Sequence, residues 1–211
     1  MQLIAENLVL SRGGRTIVDG LSLRLAAGEA LILTGANGAG KTTLLRALAG
    51  FLAPVEGAIS ITQEGDEREG NELVHYVAHL DGIKAHLTVQ EHLRFWAAYL
   101  SSEGETGLEQ RVAAALERFG LAALADIPAG YLSAGQKRRL ALSRLAAARR
   151  PVWLLDEPTV SLDAGSVARL VGAIEEHVTG GGIAVIATHV AMGLKQSREI
   201  RLGAAVPETT A

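Results

Sequence analysis

The sequence predicts an α/β protein with a buried parallel sheet, and three observations carry that reading. A glycine-rich octapeptide, Gly35-Ala36-Asn37-Gly38-Ala39-Gly40-Lys41-Thr42, joins an apolar run to a helical pattern. Two further apolar runs, Val152–Leu155 and Ile183–Ala187, are short, bounded by turns and separated by a helix-length segment, as strands buried on both faces are. Hydrophobic residues make up 48% and charged residues 20% of 211 positions, enough core for one domain and too apolar for a disordered chain.

Each element follows from local pattern. Leu3–Leu10, Leu21–Leu25 and Ala30–Thr34 read as strands, the second by alternation and the third by ending at the glycine turn. Leu44, Leu45 and Leu48 share one face of a helix that Gly50 and Pro54 stop. Ala58–Thr62 and Leu73–Val77 read as a strand pair joined by the charged turn Gln63–Asn71. From Thr88 to about Ala125 the period is helical, with stripes of Leu93, Trp96 and Leu100 and of Val112, Leu116 and Phe119 on either side of a polar loop, Ser101–Gly107. Such stripes face a core rather than a ligand. One helix follows Ser133 and another covers about Ala164–His177, while the polar end, Gly203–Ala211, is expected to be a mobile tail.

Composition removes several function classes. With 20 Lys and Arg against 23 Asp and Glu, the net charge of -3 argues against a uniformly basic surface, so no nucleic-acid partner is expected. Zero cysteines exclude disulfides, thiol catalysis and Cys-ligated metal. The first residues show no basic-then-apolar pattern, so no secretory signal is expected. The longest uncharged stretch, His177–Leu194, is interrupted by glycines and shorter than the roughly 20 apolar residues of a membrane span, so a membrane role must come through a partner.

The chemistry begins at the octapeptide, which fits G-x-x-x-x-G-K-[ST] between a strand and a helix. Its glycines allow backbone N–H groups to turn toward phosphate oxygens at a helix N-terminus. Residues Gly35, Ala36, Asn37, Gly38, Ala39 and Gly40, with Thr43, are expected to cradle a nucleotide. Lys41 is expected to hold the β and γ phosphates, and Thr42 to offer its hydroxyl to Mg²⁺. Behind four apolar residues, Asp156 and Glu157 stand at the C-terminal end of a strand, where parallel sheets bind ligands. Asp156 is expected to serve Mg²⁺ and Glu157 to act as general base toward water. His189 ends the next apolar run, where an imidazole can donate to a γ-phosphate. Leu132-Ser133-Ala134-Gly135-Gln136 precedes a helix with Lys137, Arg138 and Arg139 in its first turn. Cations there oppose the helix dipole, and taken alone the run reads as a solvated basic face.

In chain order the motifs are Gly35–Thr42, Leu132–Gln136, Val152–Glu157, Ser161-Leu162-Asp163 and His189, and with them the chain resembles the ABC ATPases over nearly its whole length. The resemblance implies a P-loop NTPase fold in one domain, 1–211, with a RecA-like parallel-sheet core, an N-terminal antiparallel β subdomain and an inserted α-helical subdomain at about 85–150. It implies ATP and Mg²⁺ as cofactors and a second cassette, as a homodimer or a heteromeric pair, packed head to tail. Ser133, Gly135, Gln136 and Asp163 of one cassette then close on the nucleotide held by the other.

Two departures stand out. An adenine-stacking aromatic is missing near Arg12–Gly14, which leaves Arg12 or apolar contacts such as Val18 to meet the base. His79 stands where that family carries glutamine after the strand; histidine can still bond a metal-bound water, but its protonation changes near about pH 6.5. His79 is therefore expected to be catalytic together with Glu157, His189 and Lys41. The run Tyr76–Lys84, followed by Leu87-Thr88-Val89 and Leu93-Arg94-Phe95, is similar to the ATP-binding subunits of bacterial haem exporters of cytochrome c biogenesis. That resemblance implies a peripheral subunit on the cytoplasmic face of the inner membrane, bound to integral membrane transporter subunits and linked indirectly to a haem chaperone system. Another small exporter cassette and a non-transport ABC switch are the alternatives. His75, His86, His92 and His177 read as surface or packing residues rather than haem ligands.

Overall fold

A computed structural model describes residues 1–65, 70–100 and 106–203. Two sheets organise it. Three antiparallel strands, β1 (Gln2–Arg12), β2 (Arg15–Ala26) and β4 (Glu56–Thr62), lie in the order β2-β1-β4. Five parallel strands, β3 (Ala30–Thr34), β5 (Val74–Val77), β6 (Val152–Asp156), β7 (Ile183–Ala187) and β8 (Arg198–Arg201), lie in the order β5-β6-β7-β3-β8. The parallel arrangement expected from the apolar runs is present, and every residue of β6 and β7 is buried.

Alternation along the central strands divides the core in two. Val152 and Leu154 of β6 face the cluster containing Leu31, Leu33 and the helix α1 (Lys41–Leu48) with its Leu44, Leu45 and Leu48. Trp153 and Leu155 face the other cluster, with Leu170 and Ile174 of α5 (Ala164–Thr179) and Leu140 and Leu142 of α4 (Ala134–Ala147). α2 (Val89–Leu100) and α3 (Leu108–Arg118) join that second cluster through Leu93, Val112 and Leu116, as their stripes require. Because the strands run parallel, the ends of β3, β5, β6 and β7 gather at one edge, and the polar residues expected at strand ends lie there.

Two assignments need correction. Ala58–Thr62 and Leu73–Val77 do not pair: β4 joins β1 in the antiparallel sheet, whereas β5 is the edge of the parallel one beside β6. β8 had no counterpart in the sequence reading; it is a charged edge strand, Arg-Glu-Ile-Arg, with one partly buried residue. Much of the Gln63–Asn71 turn, most of the Ser101–Gly107 loop and the 204–211 part of the tail lie outside the described residues.

Candidate nucleotide-binding and hydrolysis site

The glycine-rich loop leaves β3 and ends at Gly40, the N-cap of α1, which adopts φ 100°. A Cβ there would lie 2.8 Å from Ile17 Cγ2 and 3.1 Å from Val18 Cγ2, so the turn closes against β2 only with glycine. This contact corrects one expectation. Val18 is 5% exposed and packed beneath the loop, so it cannot meet a base; its neighbour Ile17 and Arg12 line the pocket instead. One position along a strand reverses the face.

Beside the loop is a pocket of about 550 Å³. Ala36 through Thr43 form one wall, and His79, Asp156, Glu157 and His189 another. Gly35 contributes through its carbonyl, which accepts from Lys41 Nζ at 2.7 Å; Ala36 O accepts from the same ammonium at 3.3 Å. The structure therefore brings the loop and all four strand-end groups to one cavity.

The acidic wall is tightly arranged. Thr42 Oγ1 donates to Asp156 Oδ1 at 3.1 Å, and the Tyr76 hydroxyl donates to Oδ2 at 3.4 Å. Asp156 is 1% exposed, and among the described residues no cationic side chain pairs with its carboxylate. A buried carboxylate held by two neutral hydroxyls lacks the countercharge that buried ions require, and its oxygen ligand set suits a hard divalent cation. The residues present thus fit Mg²⁺. Burial and the Asp156 charge push the Tyr76 phenol up to about 12, which keeps it a donor.

Glu157 follows in a left-handed conformation, φ 47°, unusual for a residue with a Cβ. Its N–H donates to Ala187 O at 2.8 Å, and its Oε1 accepts from His189 Nδ1 at 2.8 Å. Arg138 completes the arrangement. Its Nη2 donates to Asp156 O at 3.0 Å and Glu157 O at 2.8 Å, and its Nε to Pro158 O at 3.1 Å. Its Nη1 donates to Ala78 O at 2.9 Å and to Asp81 Oδ1 at 2.8 Å. At 2% exposure, Arg138 is no part of a solvated basic face. Because α4 begins at Ala134, Arg138 lies in its second turn rather than its first, and its charge is compensated inside the fold, by four carbonyls and a carboxylate from two other segments.

The remaining sequence-predicted residues lie elsewhere. Ser133, Gly135, Gln136 and Asp163 line a separate cleft of about 130 Å³ that shares no residue with the nucleotide pocket. Ser133 and Gln136 form a capping box: Gln136 N donates to Ser133 Oγ at 3.3 Å and Ser133 N to Gln136 Oε1 at 2.8 Å. The S-x-x-Q spacing signals this directly, and the box satisfies two N–H groups at the helix start. A Cβ at Gly135 would lie 2.7 Å from Ser161 O, so the segment before α5 seats directly on α4. Asp163 caps α5 by accepting from Ser166 N at 2.7 Å, which lowers its carboxyl below the usual range. Of the four histidines assigned to packing or surface, His75 and His92 are buried, His177 stacks on Trp153 at 3.9 Å, and His86 is exposed.

Comparison with known proteins agrees with this architecture. The family model described as ABC transporter matches residues 18–160, more than half of the chain. The curated cytochrome c biogenesis ATP-binding export protein CcmA of Cereibacter sphaeroides is 49% identical over 100% of this chain and 93% of its own. That of Rhodobacter capsulatus is 48% identical over 95% of this chain and 86% of its own. Among solved structures, an ATP-binding subunit of an ABC transporter superposes with a TM-score of 0.84 at 24% identity, covering 96% of this chain and 86% of that one. An ATP-binding cassette solved as a dimer with ADP and phosphate gives 0.82 at 22%, covering 95% and 94%. The chain belongs to the ABC transporter family and, within it, to the cytochrome c biogenesis ATP-binding export proteins of CcmA type.

Proposed function

We propose that this chain is the ATP-hydrolysing, energy-coupling subunit of a membrane ABC transporter that serves haem export in cytochrome c maturation. The observation that carries the catalytic part is the gathering of Lys41, Thr42, Asp156, Glu157 and His189 around one pocket at the parallel strand ends. The loop amides and Lys41 bind the triphosphate, and Thr42 and Asp156 hold Mg²⁺. When bound, the cation neutralises charge on the phosphate oxygens. Glu157, fixed by its backbone ties, accepts a proton from water as the water oxygen bonds to the γ-phosphorus and the bond to the ADP oxygen breaks. His189 is oriented by Glu157 through Nδ1, which leaves Nε2 for a γ-phosphate oxygen. His79 on the same wall bonds the water or a cation-bound water.

Ser133, Gly135, Gln136 and Asp163 do not reach this pocket in their own chain, which supports a head-to-tail pair in which one copy's α4 start covers the other's nucleotide. Integral membrane partner subunits, and a peripheral place on the cytoplasmic face, rest on the CcmA relatives; among the described residues no helix is long and apolar enough to cross a membrane. The haem and cytochrome c assignment rests on the CcmA relatives, and contact with the haem chaperone is indirect. Glu157→Gln tests the assignment: Mg-ATP binding is retained while turnover falls about 10²- to 10⁴-fold, because the base is lost and the phosphate contacts remain. Undiminished hydrolysis would remove Glu157 from this role.

A further inference from the structure

The phenol of Tyr76 bonds the acidic strand end but belongs to neither the loop, that strand end nor the histidines. Strand geometry delivers it. Tyr76 of β5 pairs in parallel register with Leu154 of β6, on the sheet face that packs against α1. Asp156 lies two residues further along β6 on that face, about 6.6 Å at roughly 3.3 Å per residue, within the length of a tyrosine side chain. The ring is set by Phe51, whose centroid lies 5.7 Å away at 55°. The hydroxyl then meets Asp156 Oδ2 at 3.4 Å, while Thr42 occupies Oδ1 at 3.1 Å.

This division of the carboxylate has a consequence for cation binding. With each oxygen tied to a different hydroxyl, the buried Asp156 is held in one orientation, and both Thr42 and Asp156 line the nucleotide pocket. We propose that Tyr76 is a positioning residue for the divalent cation: its phenol holds Asp156 Oδ2 and leaves Oδ1, with Thr42, to address the cation of a bound nucleoside triphosphate. The proposal rests on the assignment of Asp156 and Thr42 to Mg²⁺ given above.

Tyr76→Phe keeps the ring against Phe51 and removes only the hydroxyl. The experiment measures ATP binding by titration calorimetry in EDTA and across a Mg²⁺ series, and separately the Mg²⁺ concentration for half-maximal hydrolysis, with Asp156→Asn in parallel. The expected result is unchanged binding in EDTA and a Mg²⁺ requirement raised about 3- to 10-fold in both assays, the worth of one hydrogen bond. A Tyr76→Phe protein with the parental Mg²⁺ requirement overturns the proposal if Asp156→Asn raises that requirement. If Asp156→Asn also leaves it unchanged, the assignment of Asp156 to the cation fails and the proposal falls with it.

Discussion

Replacing Arg138 by methionine removes one side chain that ties three segments together. The guanidinium makes five hydrogen bonds, four to carbonyls at residues 78, 156, 157 and 158 and one to the Asp81 carboxylate. Arg138→Met preserves most of the volume and leaves those acceptors unpaired, with Asp81 partly buried beside them. Breaking a buried ion pair from one side costs about 3–5 kcal/mol. For a chain of this size, at about 2–4 °C per kcal/mol, the melting temperature falls by roughly 6–20 °C. Turnover falls further than ATP affinity, because the lost bonds hold the left-handed Glu157 backbone whereas the phosphate loop is untouched. Arg138→Lys recovers the ion pair but not the fork of donors, and lies between the two. Thermal denaturation with ATP titration and steady-state hydrolysis reads all of this. An Arg138→Met protein that melts within about 2 °C of the parent and hydrolyses ATP normally would refute the clamp.

Acid stability and the histidine on the pocket wall give two further tests. Burial, helped by the Arg144 charge, lowers His92 to about 4; burial likewise lowers His177 to about 4 and takes His75 well below its ordinary value. Each is neutral in the folded chain, so as pH falls the unfolded chain binds protons first; their contribution is complete above about pH 6.5 and is lost toward pH 4. Denaturant midpoints at pH 7, 6 and 5 should therefore fall, by up to about 1.4 kcal/mol per pH unit for each such histidine, and less steeply in His92→Asn. A flat series contradicts the buried neutral state. For His79, turnover of His79→Gln should differ from the parent in its pH profile between pH 6 and 8; superimposable profiles remove His79 from the mechanism.

Much of this was legible in the sequence where one local pattern decides the outcome. β3 ends where its apolar run meets the glycine turn, and β7 fits its run because burial on both faces leaves no alternation to misread. β2 runs to both sides of Leu21–Leu25 because its pairing with β1 is irregular: register shifts fall between Ala5 and Leu8 and between Leu8 and Leu10, and Asn7 takes φ 47°. Irregularities of this kind erase the period that marks a strand. Asp156, Glu157 and His189 were readable because parallel strands deliver their ends to one edge, whereas His79 came only from the resemblance, its strand having been paired with Ala58–Thr62. Arg138 was not, since its partners lie 18–20 and 57–60 residues away along the chain and only the packed α4 brings them together. Val18 was named in place of Ile17 for a similar reason, because strand direction alone does not say which face the loop covers.

In the proposed head-to-tail pair, one copy's loop holds a triphosphate which the other copy's Ser133 and Gly135 complete. Sedimentation of the Glu157→Gln chain with saturating Mg-ATP tests it most directly. The account predicts doubling of the 22.1 kDa mass with one ATP bound per chain, lost on adding Lys41→Ala, and lost on adding Ser133→Arg even though that chain still binds ATP. A Glu157→Gln chain that is saturated with ATP and remains a monomer would contradict it.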